Sequence, residues 1–209
     1  LVLLAENNIG YSNLMKIVSK GFVEGFYYKP RVDMEVLETY SEGIIALSAC
    51  LAGEVQKYLV RGMYEDAKKA ALRYEGIFGK GNYFLELQDH GIPEQKMVNP
   101  QLLRMSKELD IGLVATNDVH YTYAEDESPH DILLCIQTAK KLDDEDRMRY
   151  EGGQYYVKSP EEMANLSRMR RRHWRIPRKS QTAAMWKLSL ESQSFQNMMF
   201  PRVIPPGNT

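Results

Sequence analysis

Asp118 and His120 stand two residues apart in TNDVHY, residues 116–121, and they form the sharpest chemical signal in the sequence. On an extended backbone alternate side chains leave the same face, so a carboxylate oxygen and an imidazole nitrogen can reach one ion together. Mixed nitrogen and oxygen donors suit zinc or manganese. A surface histidine beside an acid satisfies the same short pattern. Cys50 follows the apolar run GIIALSA, where a thiolate at a strand's carboxyl end could add a softer ligand. Burial in the core is the competing reading.

Other candidates carry less. His90 in QDHG could ligate or orient a ligand, or occupy an ordinary turn. His130, following Pro129, reads as a helix-capping or surface residue, and Cys135 within ILLCI as a small buried hydrophobe. Lys29 and Arg31 lie beside two tyrosines in GFYYKPRVD, a combination that could contact nucleic-acid phosphates with aromatic support. Aromatics at this density also pack against a core.

The elements that must position these residues alternate. LVLLA at the start, GIIALSA from Gly43, YFLELQ from Tyr83, GLVAT from Gly112 and YYVKS from Tyr155 read as buried strands. Residues 53–61, 64–78, 94–109 and 125–139 carry apolar positions at helical spacing. Asn99-Pro100 inside the third of these predicts a kink or a fresh start near Gln101. Alternating β and α elements imply a parallel sheet with covering helices, either doubly wound or closed as a barrel. In both, ligands collect at the carboxyl ends of strands. SAC, QDHG and NDVH all fall there, which predicts one shared rim.

Composition narrows the class. A hydrophobic share of 44% and a charged share of 26% are ordinary globular values, which excludes collagen-like and disordered chains. No apolar run is long enough to span a bilayer, and two widely separated cysteines do not make a secreted disulfide framework, so the expectation is a cytoplasmic protein without a membrane partner. No P-loop or dinucleotide fingerprint occurs. The chain opens on Leu1 within an apparent strand, which reads as a beginning cut from something longer.

Five blocks in order, GFVEGFYYKPRVD, GIIALSACLAGEV, YFLELQDHGIPEQ, LVATNDVHY and GGQYYVKSPEEM, closely resemble the N-terminal PHP domain of bacterial DNA polymerase III alpha subunits. The resemblance spans residues 1–166. It implies an α/β fold, a distorted TIM-like (β/α) barrel, here incomplete at its N-terminus. It also implies a divalent metal, zinc or manganese, in the complete site, with Cys50, Asp118 and His120 matching family ligands. An H-x-H strand, an Asp-His pair, a glutamate and a further histidine of the family pattern would lie upstream of Leu1. This predicts a chain that binds metal weakly, lacks catalytic activity, exposes sheet edges and dissolves poorly. The parent would perform template-directed DNA synthesis with Mg outside this region, its PHP domain acting as a scaffold or a 3′–5′ exonuclease. DNA and other replicase subunits would be its partners. A free-standing PHP phosphoesterase is the alternative, and the long polymerase-like blocks speak against it.

The resemblance stops at Leu166, and the composition turns with it. Residues 167–209 hold nine Lys or Arg against one acid, Glu191, leaving 18 bases and 27 acids before them. Met and Trp have single codons, so a shifted frame is partly determined. Met198-Met199-Phe200, read from each third base, gives Tyr or His, then Asp, then Val, with Pro or Ser next, matching the family's YDVP. Met185-Trp186-Lys187 likewise forces Val-Glu, and His173-Trp174 forces Leu. One lost base near Ser167 accounts for the whole tail, which predicts a frameshifted, non-native and largely disordered segment. A real basic tail binding nucleic acid through RMRRRHWRIPRK is the competing reading.

Overall fold

The computed structural model describes residues 1–150 and 152–168. Its elements run β1 (Val2–Ala5), α1 (Asn8–Val23), α2 (Met34–Thr39), β2 (Ile44–Leu47), α3 (Glu54–Val60), α4 (Tyr64–Phe78), β3 (Tyr83–Leu87), α5 (Pro93–Leu109), β4 (Gly112–Ala115), α6 (Glu127–Thr138) and α7 (Pro160–Arg168). The proposed tail, 167–209, lies outside the described residues apart from the last two positions of α7.

The strands form one sheet in the order β1-β2-β3-β4. β2, β3 and β4 are parallel, with Leu47 opposite Phe84 and Glu86 opposite Val114. β1 departs from expectation because it pairs antiparallel with β2, Val2 opposite Leu47 and Ala5 opposite Ile44. It is also not buried. As an edge strand it leaves Val2 at 38% and Leu4 at 37% exposure. The mixed α/β class stands, but among the described residues the sheet has two edges, β1 and β4, and is not a closed ring.

YYVKS does not form a fifth strand. It makes a single bridge, Tyr121 with Tyr156, because Tyr155 O accepts from His120 N at 2.8 Å and Val157 N reaches Thr122 O at 3.2 Å. The segment therefore lies along the loop after β4. Two helices without a strong sequence signal complete the first half. α1 contains Gly10 and Gly21, and it starts where Asn7 Oδ1 accepts Gly10 N at 2.9 Å. α2 starts where Asp33 Oδ1 accepts Val36 N at 3.0 Å. α5 runs unbroken through Pro100, and Asn99 Nδ2 ties it to Gln88 O at 2.9 Å.

β2 and β3 are buried on both faces, as parallel strands under helices must be. Ile44, Ala46, Tyr83, Leu85 and Leu87 face Leu59 of α3, Ala67, Ala70 and Ala71 of α4, and Val98, Leu102 and Met105 of α5. Ile45, Leu47, Phe84 and Val114 pack together as a separate cluster. Tyr83 brings a defect into this core. Its ring stacks on Tyr74 at 5.6 Å, but its hydroxyl is buried without a hydrogen-bond partner among the described residues. Removing an unsatisfied buried donor recovers its desolvation cost, so Tyr83→Phe should raise stability by about 1 kcal/mol. Thermal denaturation checks this, and a lower midpoint for Tyr83→Phe would refute it.

Candidate metal centre at the strand-end rim

Parallel strands β2, β3 and β4 end side by side, so the loops after them meet at one edge. Ser48, Ala49 and Cys50 follow β2. Gln88, Asp89 and His90 follow β3, and Thr116 through His120 follow β4. These loops are hydrogen-bonded to one another, as the shared-rim reading expects.

Glu86 is the first link. It lies inside β3 at 5% exposure, and its Oε2 accepts Ala49 N at 3.1 Å. Its Oε1 accepts Gln88 Nε2 at 3.2 Å and the Thr116 hydroxyl. Ser48 Oγ accepts Glu86 N at 2.8 Å and Gln56 Nε2 at 2.6 Å, and the same Gln56 nitrogen donates to Ala49 O at 2.8 Å. A small cavity of about 10 Å³ is lined by Cys50, Gln56, Glu86, Gln88, Gln95 and Asn99, among others.

His90 is the second link. It is 4% exposed, so it is neither a ligand open to solvent nor an ordinary turn residue. Gln95 accepts His90 N on Oε1 at 2.7 Å, which leaves its amide nitrogen facing His90 Nδ1 at 3.0 Å. His90 Nε2 faces Asn117 Oδ1 at 3.1 Å, a contact that needs a proton on Nε2. The Asp118 N–H aimed at the same atom, at 3.2 Å, needs its lone pair, so the two contacts belong to opposite tautomers. The ring stacks flat on Tyr155 at 4.6 Å. Burial pushes the His90 pKa down, more than the bonds from Asn117 and Gln95 push it up. Both nitrogens are engaged, so His90 orients the loop that carries Asp118.

Asp118 and His120 share a side of that loop, with His120 Nε2 3.4 Å from Asp118 Oδ1. Both are solvent-accessible. His120 packs against Tyr150 at 4.2 Å and lies 5.8 Å from the ring of His130. His130 is half-buried in α6 and also touches Tyr121 and Tyr150, rather than standing free at the surface or capping the helix. Being a full turn inside α6, it faces the β4 loop. Burial raises the Tyr150 phenol, and the proximity of Asp118 and Cys50 raises it further. Tyr150 packs against His120, His130 and Tyr155. Arg147, three residues before Tyr150, is clamped to Asp131 of α6 through two bonds of 2.5 and 2.7 Å.

Cys50 is a half-buried free thiol, and Cys135 is buried as expected. Among the described residues no three of His, Cys, Asp and Glu are grouped closely enough to hold a metal ion. The donor types suit zinc or manganese, but their spacing does not make a closed site. Lys29 and Arg31 lie elsewhere, on the exposed loop after α1, with Arg31 5.0 Å over the Tyr27 ring.

Sequence reasoning passed over Glu86, Gln95, Asn117 and Tyr150. Glu86 alone left a signal, an acid inside the apolar run YFLEL.

The PHP domain model matches residues 1–90, from β1 to His90, and so includes Cys50. The DNA polymerase III subunit alpha of Treponema pallidum is 48% identical over 166 residues, covering 79% of this chain and 14% of that protein. The Deinococcus radiodurans subunit is 50% identical over 163 residues, covering 78% and 12%. Over most of its length the chain is thus similar to part of DNA polymerase III alpha subunits, and its first 90 residues match the PHP domain. The Saccharopolyspora erythraea subunit is 41% identical over 209 residues, covering 97% of the chain and 17% of that protein. The chain therefore spans between 12% and 17% of the length of these curated relatives. The first two alignments leave about a fifth of the chain unaligned, the share that residues 167–209 occupy, whereas the third runs into that segment. Asp118 and His120 lie on the same strand-end rim as Cys50 but beyond the matched residues 1–90.

Proposed function

We propose that this chain is one module of a replicative DNA polymerase whose complete form performs template-directed DNA synthesis. Its PHP domain then serves as a metal-binding scaffold or a 3′–5′ exonuclease. The observation that carries this reading is the convergence of the Cys50, His90 and Asp118–His120 loops on one rim, in a chain 41–50% identical to alpha subunits. In the complete domain, a PHP-type distorted barrel, Cys50, Asp118 and His120 contribute part of the ligand set for zinc or manganese. Those three side chains would hold only part of such an ion's shell, and the ion would supply Lewis-acid chemistry toward a phosphodiester. The groups present do not enclose an ion, so no hydrolytic step is assigned to this chain.

Nucleotidyl transfer, with its Mg, belongs to another part of the longer protein. Lys29 and Arg31, exposed beside Tyr27 and Tyr28, are placed to meet DNA phosphates, and the other partners are subunits of the replicase. The location is the cytoplasm; among the described residues no helix is long and apolar enough to cross a membrane. Residues 167–209 are read as translated out of frame, and the encoding DNA decides this: codons that cannot restore the family pattern after one inserted base end that reading.

Metal analysis tests the site. The 209-residue chain should retain well under one equivalent of zinc or manganese after gel filtration, while a protein extended upstream with the family's histidines and acids should hold at least one. Replacing Cys50, Asp118 or His120 in the longer protein should then lower its metal content. Stoichiometric metal in the 209-residue chain would overturn the claim that its ligand set is incomplete.

A further inference from the structure

We propose that Glu86 is the positioning residue of the rim, holding the Cys50 loop against the loop that carries Asp118 and His120. The role of those three residues as ligands rests on the reading above; the positioning itself does not.

Glu86 is an acid in the middle of a buried parallel strand, where side chains are otherwise apolar. Such a carboxylate is stable only if its oxygens are hydrogen-bonded. Its donors come from all three loops: Ala49 N after β2, Gln88 Nε2 after β3 and the Thr116 hydroxyl after β4.

The backbone supplies an independent observation. Ala49 has φ +66°, a left-handed conformation that alanine disfavours because its Cβ crowds the carbonyl. That turn aims Ala49 N at Glu86 and places Cys50 on the rim immediately after it. The bond to Glu86, with the Gln56 bond to Ala49 O, holds the loop in this disfavoured shape. At the far side Thr116 stands two residues before Asp118, and Thr116 N is itself bonded to Leu87 O at 3.1 Å. One carboxylate therefore sets the spacing between the thiol and the Asp118–His120 pair.

The test uses the 209-residue chain and its two cysteines. Alkylation by iodoacetamide is followed at Cys50 and Cys135 separately by peptide mass spectrometry, and cobalt(II) is titrated while the thiolate-to-cobalt absorption is watched. Glu86→Gln keeps the shape but replaces an acceptor oxygen with a donor. It should speed Cys50 modification about tenfold, the effect of losing one charge-assisted bond on local opening, with Cys135 unchanged. Thr116→Val should produce a smaller rise, and Thr116→Ser, which keeps the hydroxyl, should behave as the parent. A Cys50 rate unchanged in both Glu86→Gln and Thr116→Val would overturn the proposal. So would equal acceleration of Cys50 and Cys135, which marks general unfolding. If Cys50 alone is released but the parent shows no thiolate-to-cobalt band even when extended upstream, the metal reading fails and the positioning role stands.

Discussion

Gly10→Ala should destabilise the chain by about 3 kcal/mol, because the added methyl has nowhere to go. A Cβ at Gly10 would lie 1.8 Å from Gly43 O and 2.5 Å from its carbonyl carbon. Both are backbone atoms, and no rotamer relieves the contact. Gly43 is equally constrained: it has φ +70°, its own Cβ would meet Asn7 Oδ1 at 2.5 Å, and its carbonyl accepts Glu6 N at 2.8 Å. Relief requires α1 to lift from the turn that leads into β2. That movement would break the bond from Asn13 Nδ2 to Glu42 O at 3.0 Å and withdraw Ile17 from the core.

For a chain of this size, such a loss lowers the melting temperature by roughly 6–12 °C. Gly76→Ala is the matched control. Gly76 lies inside α4, and a Cβ there meets nothing within 4 Å. Helix propensity alone should then stabilise the chain by about 0.5–1 kcal/mol. A midpoint for Gly10→Ala at or above that of the parent would show that the α1–β2 contact is softer than its geometry.

His90→Ala should cost about 3 kcal/mol, and its effect should extend to Asp118. The substitution removes a ring 4% exposed and stacked on Tyr155, and it leaves a space that the two loops cannot easily close. It also leaves Gln95 Nε2 and Asn117 Oδ1 each short of a partner, Gln95 being only 4% exposed. The Asp118 amide, 3.2 Å from His90 Nε2, loses its neighbour as well. Chemical denaturation should record the stability loss, and hydrogen exchange at the Asp118 amide should quicken beyond that of amides in α4. A loss under about 1 kcal/mol would mean that His90 is a passenger in the turn rather than its clamp.

The two predictions mark opposite ends of the molecule's construction logic. Gly10 joins the first helix to the sheet by backbone contact alone, whereas His90 joins two strand-end loops by side-chain hydrogen bonds. Neither role shows in residue type. A glycine in a helix ordinarily weakens it, and a histidine before glycine ordinarily marks a turn.

Local patterns in the sequence were enough to place β2, β3, β4, α3, α4, α5 and α6, because short apolar runs and three- and four-residue spacing reflect burial within one element. The same locality placed SAC, QDHG and NDVH at strand ends and put Asp118 and His120 on one side of their loop. Where local signals were mixed, the reading failed. Glycines obscured α1, and the apolar composition of LVLLA and YYVKS suggested buried strands where the chain has an exposed antiparallel edge and a single bridge.

What only the tertiary structure decided is which polar groups meet. Ala49 and Glu86 are 37 positions apart, Thr116 and Glu86 are 30, and Asp118 and His90 are 28. No periodicity encodes such pairs. They arise because three parallel strands end side by side, and a carboxylate or imidazole buried at that edge must find its hydrogen bonds on the neighbouring loops. The sequence by itself determined the residue types at the rim, and packing determined that Glu86 and His90 hold it together.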